Sequence, residues 1–515
     1  MLALYIGERG SGVSRNVRSH AAAPTSILAF TVKPVGRLRT TVIVMENSAS
    51  AQPPRAIDLL IRGAMIVTLD AGRRILKDGS LAVDGDRIVA VGPREELEGR
   101  FEPRRMVDGR GFVVTPGFVN GHIHVTGEPL TRGFVPDDSG FSENVFEWLI
   151  PNCFAHTADD ERLSAQVSSL DMLRNGTTTF LEAGTLLHLD AAVEGLESMG
   201  IRGRVGQWTQ DRAFGPDDDQ TALIDKAIRG LADQVSRYPV ATGKRIAAWP
   251  CLIGHSINTD EVWKAAKLIA DASGTGITAH MSPAIVDAEW FLANTGRRPI
   301  EHLEHLGVLG SNLSLTHVVH IDDNEVRALA DSGTNVTHCP LSALKGAYGA
   351  TSVGKFPELA DAGVNIMLGT DGNNNGNSTD LMRCIYLAAA IHKDARRDPK
   401  RFPAHQVLEM ATVNAARALQ MSDQIGSLEP GKKADFVLHD TNRPEWRPLF
   451  NVVNQLVWSA DGRGVHSVWV DGVRVVQNYR STMIDEDELL ARAQVAGEAI
   501  IARSGLPLRS VWPVS

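Results

Sequence analysis

Eight short runs rich in β-branched residues, each followed by a stretch with helical periodicity, occupy the middle of the chain in order, and this alternation restricts the fold more than any other feature. The first four are Phe118-Val-Asn-Gly-His-Ile-His, Thr177-Thr-Thr-Phe-Leu-Glu, Ile201-Arg-Gly-Arg-Val-Gly-Gln-Trp and Ile246-Ala-Ala-Trp-Pro-Cys-Leu-Ile. The last four are Gly276-Ile-Thr-Ala-His, Ser314-Leu-Thr-His-Val, Asn335-Val-Thr-His-Cys and Val364-Asn-Ile-Met-Leu-Gly-Thr-Asp. Between them, Glu161 to Arg174 sets Leu163, Val167, Leu170 and Leu173 on one helical face and stops at Gly176. Asp322 to Ala330 does the same with Val326 and Leu329, closed by Gly333. Units of this kind in this order predict an α/β fold, a distorted (β/α)8 TIM barrel over residues 116–424.

The flanks read differently. Leu59-Leu-Ile-Arg-Gly, Met65-Ile-Val-Thr-Leu and the paired runs around Asp84-Gly85 have the grammar of strands and hairpins. Ala434-Asp-Phe-Val-Leu and the runs around Asp471-Gly472 repeat it near the other end, which predicts one small β-sandwich built from residues 56–115 and 425–480. Residues 481–515 are expected to form a helical segment and tail. Residues 1–44 hold six basic residues and one acid; setting that +5 aside from the chain's −9 leaves −14, so the charge changes sign near Met45. Residues 1–55 are therefore expected to be an extension outside the core, either disordered or upstream of a true start at Met45.

A net charge of −9 repels phosphate backbones, and no apolar run reaches the roughly 18 residues of a membrane span. The four cysteines are far apart and form no CxxC pair, which suits a reducing, cytoplasmic setting rather than a disulfide framework. The expected partner is a small molecule, not a nucleic acid or a membrane.

In a barrel of this kind the chemistry sits at the C-terminal ends of the strands. Those ends are His122/His124, Glu182, Trp208, His255, His280, His317, His338 and Asp371. Histidine supplies five of the eight although the chain has 16 in all, and an apolar core gives no reason for that placement. His122 and His124, one residue apart on a strand, project from the same face and can close on one ion. Asp371, after the apolar Ile-Met-Leu, adds the carboxylate of a three-histidine, one-aspartate set that leaves a position for water. His280 and His317 fill the remaining vacancies, a third imidazole and a base. Glu301-His302-Leu303-Glu304-His305 lacks HExxH spacing and reads as a solvated helix, and His320, His392, His405, His439 and His466 read as structural.

The ordered motifs are Pro116-Gly-Phe-Val-Asn-Gly-His-Ile-His, Leu315-Thr-His-Val-Val-His-Ile-Asp-Asp, His338-Cys-Pro, Leu368-Gly-Thr-Asp-Gly, Ala411-Thr-Val-Asn-Ala-Ala-Arg-Ala-Leu and Gly426-Ser-Leu-Glu-Pro-Gly-Lys-Lys-Ala-Asp. Through them the chain resembles the amidohydrolase superfamily over roughly residues 57–480, in the metal-dependent branch of S-adenosylhomocysteine/methylthioadenosine deaminases and s-triazine hydrolases. The resemblance implies that His122, His124, His280 and Asp371 hold one divalent metal ion, zinc in the first instance, with iron, cobalt or manganese also suited to the ligands. It implies that His317 and Asp371 act on the attacking water, that His255 touches substrate, and that the chain assembles as a homodimer or larger homo-oligomer. His338 and Trp208 are expected beside the substrate with His255. No lysine stands in Trp249-Pro-Cys-Leu-Ile-Gly-His to bridge a second metal.

The departures from that pattern steer the expected reaction. Deaminases of the branch carry His-x-x-Glu, where the glutamate protonates a ring nitrogen; this chain has His280-Met281-Ser282-Pro283. Leu341-Ser342-Ala343 and Ile150-Pro151-Asn152-Cys153 also depart from the nucleoside-deaminase pattern. The sequence therefore favours hydrolysis of a non-peptide C–N bond at the carbonyl of an amide, urea or carbamate, which needs no ring protonation. The alternative is an aminohydrolase of a heteroaromatic amine, a purine, pyrimidine or s-triazine, with Asp287 or Glu289 in place of the missing acid. A non-catalytic scaffold is the second alternative. Trp208, Trp249 and Trp290 are candidates for an apolar pocket, with packing the favoured role for Trp290.

Overall fold

The computed structural model describes residues 53–213, 215 and 217–513, and the extension expected at the N-terminus falls largely outside them. The chain begins with β1 (Arg55–Val67), β2 (Ile75–Asp84), β3 (Arg87–Pro93), β4 (Phe101–Asp108) and β5 (Phe112–Pro116). The barrel strands follow: β6 (Phe118–Ile123), β7 (Thr177–Glu182), β8 (Arg202–Val205), β9 (Ile246–Ala248), β10 (Cys251–Gly254), β11 (Ile277–Met281), β12 (Leu313–His317), β13 (Asn335–His338) and β14 (Ile366–Leu368). The chain then returns through β15 (Phe436–Asp440), β16 (Val465–Val470), β17 (Val473–Gln477) and β18 (Arg480–Ser481).

The barrel is all parallel and distorted. Strands β6–β9 form one ladder and β10–β14 another. The expected fourth run is split between β9 and β10 because Pro250 lacks an amide hydrogen for the ladder. Side-chain and loop bonds supplement the seam between β14 and β6: Asp371 N donates to His122 O at 3.0 Å, and Asn120 Nδ2 donates to Thr370 Oγ1 at 2.7 Å. The surrounding helices bury the predicted stripes. The helix Ala158–Arg174 starts on a Thr157/Asp160 capping box and buries Leu163, Val167, Leu170 and Leu173, each contributing about 1.5–3 kcal/mol.

The terminal strands join in one nine-stranded mixed sheet with the path β18-β17-β16-β15-β5-β1-β2-β3, and β4 pairs in parallel with β1. The joint between the two ends is the antiparallel β5–β15 ladder, Pro116 opposite Phe436 and Phe112 opposite Asp440. The two runs expected as separate strands at 59–63 and 65–69 are one strand, β1, with register shifts between Arg62 and Ile66. A buried ion cluster ties this sheet to the barrel. Arg202 on β8 reaches Asp435 at 3.1 Å and Asp471 at 2.5 Å, and Arg245 reaches Asp471 at 2.8 Å.

Candidate metal centre

His122 and His124 stand on and just after β6, where alternation points both rings to the barrel mouth. His280 lies on β11, His317 ends β12, and Asp371 follows β14. The backbone there is held in the left-handed region: φ is +51° at His255, +51° at Ser282, +75° at His317 and +62° at Asp371. Such conformations cost about 1–3 kcal/mol each outside glycine and gather where side chains must be aimed. Two glycines are required by close approach. A Cβ on Gly254 (φ +80°) would lie 2.0 Å from His280 O, and one on Gly372 would lie 2.0 Å from Glu128 Oε1.

The aimed groups meet. His124 Nε2 lies 3.1 Å from Asp371 Oδ1 and 3.5 Å from His280 Nε2. His122 Nε2 is 3.6 Å from Asp371 Oδ1, and His317 Nε2 is 3.8 Å from Asp371 Oδ2. Among the described residues, the donor atoms of His122, His280 and His317, and those of His122, His124 and Asp371, lie within 4.8 Å of one another. Two of these atoms, His122 Nε2 and Asp371 Oδ2, are buried with no hydrogen-bond partner. A buried orphan nitrogen and an orphan carboxylate oxygen in one cluster are costly unless a cation satisfies both. His280 Nδ1 sits 2.9 Å from Ile253 O, a pure acceptor, so Nδ1 carries the hydrogen and Nε2 bares its lone pair to the centre. Thr316 Oγ1 holds the His122 ring in place at 3.0 Å from Nδ1. The donor set therefore fits one divalent metal ion.

The electrostatics agree. Burial disfavours charge on His124, but the carboxylates of Asp371, Glu128 and Glu182 outweigh it and hold the imidazole at about 9. A centre that draws a proton onto a buried ring is short of positive charge. Burial, with neighbouring imidazoles, pushes His280 well below its ordinary value and His317 down to about 3 despite the pull of Asp371, so both are neutral lone-pair donors. Burial raises the Asp371 carboxyl, but the His122, His124 and His317 imidazoles around it carry it well below the usual range.

A cavity of about 260 Å³ opens on the cluster. It takes in the predicted His124, His280, His317, Asp371, His255 and Trp208. His338 is not brought there: its Nε2 faces His392 Nε2 at 3.1 Å and its ring stacks on Phe356 at 3.8 Å, because β13 turns this side chain toward the helical layer. The two tryptophan expectations exchange places. Trp249 is 1% exposed and packs with Val119, Leu181 and Met367 in the core, whereas Trp290 lines the cavity. Glu289 is exposed, but Asp287 lines the cavity and accepts from Ser282 N at 2.7 Å, with His255 Nδ1 at 3.2 Å.

Glu128 is a functional candidate that the sequence reading passed over. Its carboxylate lies 3.7 Å from His124 Nδ1 and accepts Asn374 N at 2.5 Å, and burial, with Asp371 nearby, raises it. The spacing of four residues from His124 was the available signal. The outer wall was also passed over. It is the helical segment Glu143–Leu149, wound as a π-helix, running into Ile150–Phe154. Val145, Phe146, Leu149, Ile150 and Cys153 face the cavity at spacings of three and four, a stripe legible in the sequence.

The sequence profile described as the amidohydrolase family matches residues 113–475, and one described as the imidazolonepropionase-like composite domain of bacteria matches residues 81–101. The 5-methylthioadenosine/S-adenosylhomocysteine deaminase of Syntrophobacter fumaroxidans is 32% identical over 86% of this chain and 98% of its own length. The 5'-deoxyadenosine deaminase of Methanosarcina mazei is 30% identical over 87% of this chain and 99% of its own. Among solved structures, an adenosine deaminase from Xanthomonas campestris with bound zinc superposes with a TM-score of 0.79 at 28% identity, covering 87% of this chain and 100% of that one. An atrazine chlorohydrolase from Arthrobacter aurescens, complexed with zinc, shares the fold with a TM-score of 0.77 at 24% identity, over 85% of this chain and 100% of that one. The deaminase names agree with the alternative reaction drawn from the sequence rather than with the amide, urea or carbamate reading placed first.

Proposed function

The chain belongs to the amidohydrolase family and is a metal-dependent hydrolase of a C–N bond other than a peptide bond, with a site for a single divalent ion; from that premise we propose that it removes the amino group from a heteroaromatic ring. The reaction takes water and the ring amine to the ring carbonyl and ammonia. The single observation that carries this reading is the acid in the cavity. Pro283 offers no proton, but Asp287 stands on the next helix with its carboxylate fixed by Ser282 N and by His255 Nδ1. That bond leaves His255 Nε2 to face the ring, so the absent glutamate is replaced by a histidine backed by a carboxylate. The non-catalytic scaffold has no support, since the predicted ligands converge on one centre.

The site residues take these roles. His122, His124, His280 and Asp371 would hold the ion, and family resemblance and donor chemistry favour zinc. Bound there, a divalent cation supplies Lewis acidity that makes water a nucleophile near neutral pH. His317 Nε2 and Asp371 Oδ2, 3.8 Å apart, take the proton that the water gives up. His255 delivers one to the ring nitrogen from its Nε2, with Asp287 steadying the charge that passes through the imidazole. The departing nitrogen receives the proton held at Asp371 and leaves as ammonia, and the proton that the added hydroxyl loses as the ring carbonyl forms restores the one His255 gave up.

The test is ammonia release from aminopurines, aminopyrimidines and amino-s-triazines by metal-loaded protein. Asp287→Asn is expected to lower kcat about 10²–10⁴-fold. The second reading, hydrolysis at an amide, urea or carbamate carbonyl, rests on the buried Pro283 at the end of β11. Cleavage of anilides or phenylureas without ammonia release from any heterocycle would select it and overturn the first.

A further inference from the structure

We propose that the substrate is an uncharged, compact ring compound without a sugar or an acidic substituent. The inference deepens the reading above and rests on the same cavity being the substrate site.

The cavity's walls carry the argument. Among the described residues, no lysine or arginine lines it. Arg212 lies over the Trp290 ring at 4.7 Å and donates to Asn258 O, so its charge is engaged there. Three carboxylates line the cavity, Glu128, Asp287 and Asp371, beside the imidazoles and the neutral Cys153 and Tyr348. A substrate carboxylate or phosphate would be desolvated against three acids with no lysine or arginine to answer it, and the His255 imidazole is already paired with Asp287 at 3.2 Å, a placement that costs several kcal/mol per ion. One divalent ion would balance the acids of its own centre and would be occupied by the reacting water.

The outer wall excludes a sugar. Its inward stripe from Val145 to Cys153 is apolar at every position; Glu147 and Asn152 fall between the stripe positions, Glu143 and Asn144 precede it, and none of the four lines the cavity, whose hydroxyl and amide groups, Ser142, Thr185, Ser256 and Asn375, lie off the stripe. Ribose hydroxyls laid on that stripe lose water without gaining partners. A volume of about 260 Å³ also lies below the usual range of about 300–1,000 Å³ for ligand pockets, which suits a single or fused ring with a small substituent. Phe141 stands edge-on to His255 at 6.0 Å and to Tyr348 at 5.6 Å, an aromatic frame for a flat guest.

Calorimetric titration of the metal-loaded protein with indole, indole-5-carboxylate and 1-ribosylindole tests this, because none has an exocyclic amine to lose. Indole is expected to bind, and the carboxylate and the riboside to bind at least tenfold more weakly. In Val286→Lys, a change at a half-exposed lip position, the carboxylate is expected to recover to within about threefold of indole measured on the same variant. Equal or tighter binding of the carboxylate or the riboside by the unaltered protein overturns the proposal, as does a lysine variant in which the carboxylate gains nothing. The ammonia assay is independent of this readout: no turnover with the binding preference intact sinks the deaminase reading alone, and turnover with the preference reversed sinks this one alone.

Discussion

At the scale of single residues, the centre is specified less by its ligands than by what holds them. His122 and His124 were visible as a pair on one strand, yet the partner that orients the His122 ring, Thr316, comes from a strand of the other ladder. Replacing Thr316 with valine keeps the shape and removes the partner of His122 Nδ1. Metal affinity is expected to weaken about 10–100-fold, read by competition with a chromophoric chelator, with the folded content unchanged by circular dichroism. His280→Ala removes a nitrogen that faces the orphan atoms, and retained metal after dialysis is expected to fall below one tenth of the wild-type ratio. The legible part of the site was what lies within one strand: the His-x-His pair and the Thr-Asp-Gly after β14. Glu128 was not legible because its role arises from Gly372, more than two hundred residues away, whose missing Cβ lets the carboxylate in. His338 was misread because strand position alone does not say whether a side chain turns to the mouth or to the helices.

At the scale of elements, the helix Ala158–Arg174 and the loop after β7 are locked by one carboxylate. Glu161 accepts Leu187 N at 2.9 Å and His188 N at 2.8 Å. Burial raises it, the two amides oppose that, Glu182 and Asp160 add to it, and the result is about 7 against an ordinary 4.5. The unfolded chain therefore releases this proton near pH 4.5 and the folded chain only near pH 7. Between those values the folded state binds more protons, so stability falls as pH rises, by up to about 1.4 kcal/mol per unit, and levels off above. Urea midpoints measured from pH 4.5 to 8 are expected to show this slope in the wild type, with a shallower one in Glu161→Gln. The strands themselves were largely legible: β7 has the limits its β-branched run predicts, and Pro250 accounts for the one run that breaks. The parallel pairing of β4 with β1 was not, since alternation reports which residues are buried and not which neighbour a strand chooses.

At the scale of the whole molecule, the terminal sheet and the barrel are joined through charge as well as through packing. Arg202 and Asp435 are each 2% exposed, and Asp471 N also donates to Asp435 Oδ1 at 2.8 Å. Arg202→Met leaves Asp435 buried beside a like charge, and a loss of about 3–5 kcal/mol is expected in urea unfolding. Adding Asp435→Asn to that variant is expected to restore part of the loss, because the stranded charge rather than the missing contact sets the cost. The β5–β15 ladder has a temporal consequence. About 320 residues separate its two strands, so at about 5–20 residues per second the ribosome needs roughly 16–64 s to deliver the second after the first. Throughout that interval the nascent polypeptide presents a bare strand edge, a template for pairing with neighbouring chains. Efficient synthesis of this protein therefore depends on whatever shields that edge until translation is nearly over.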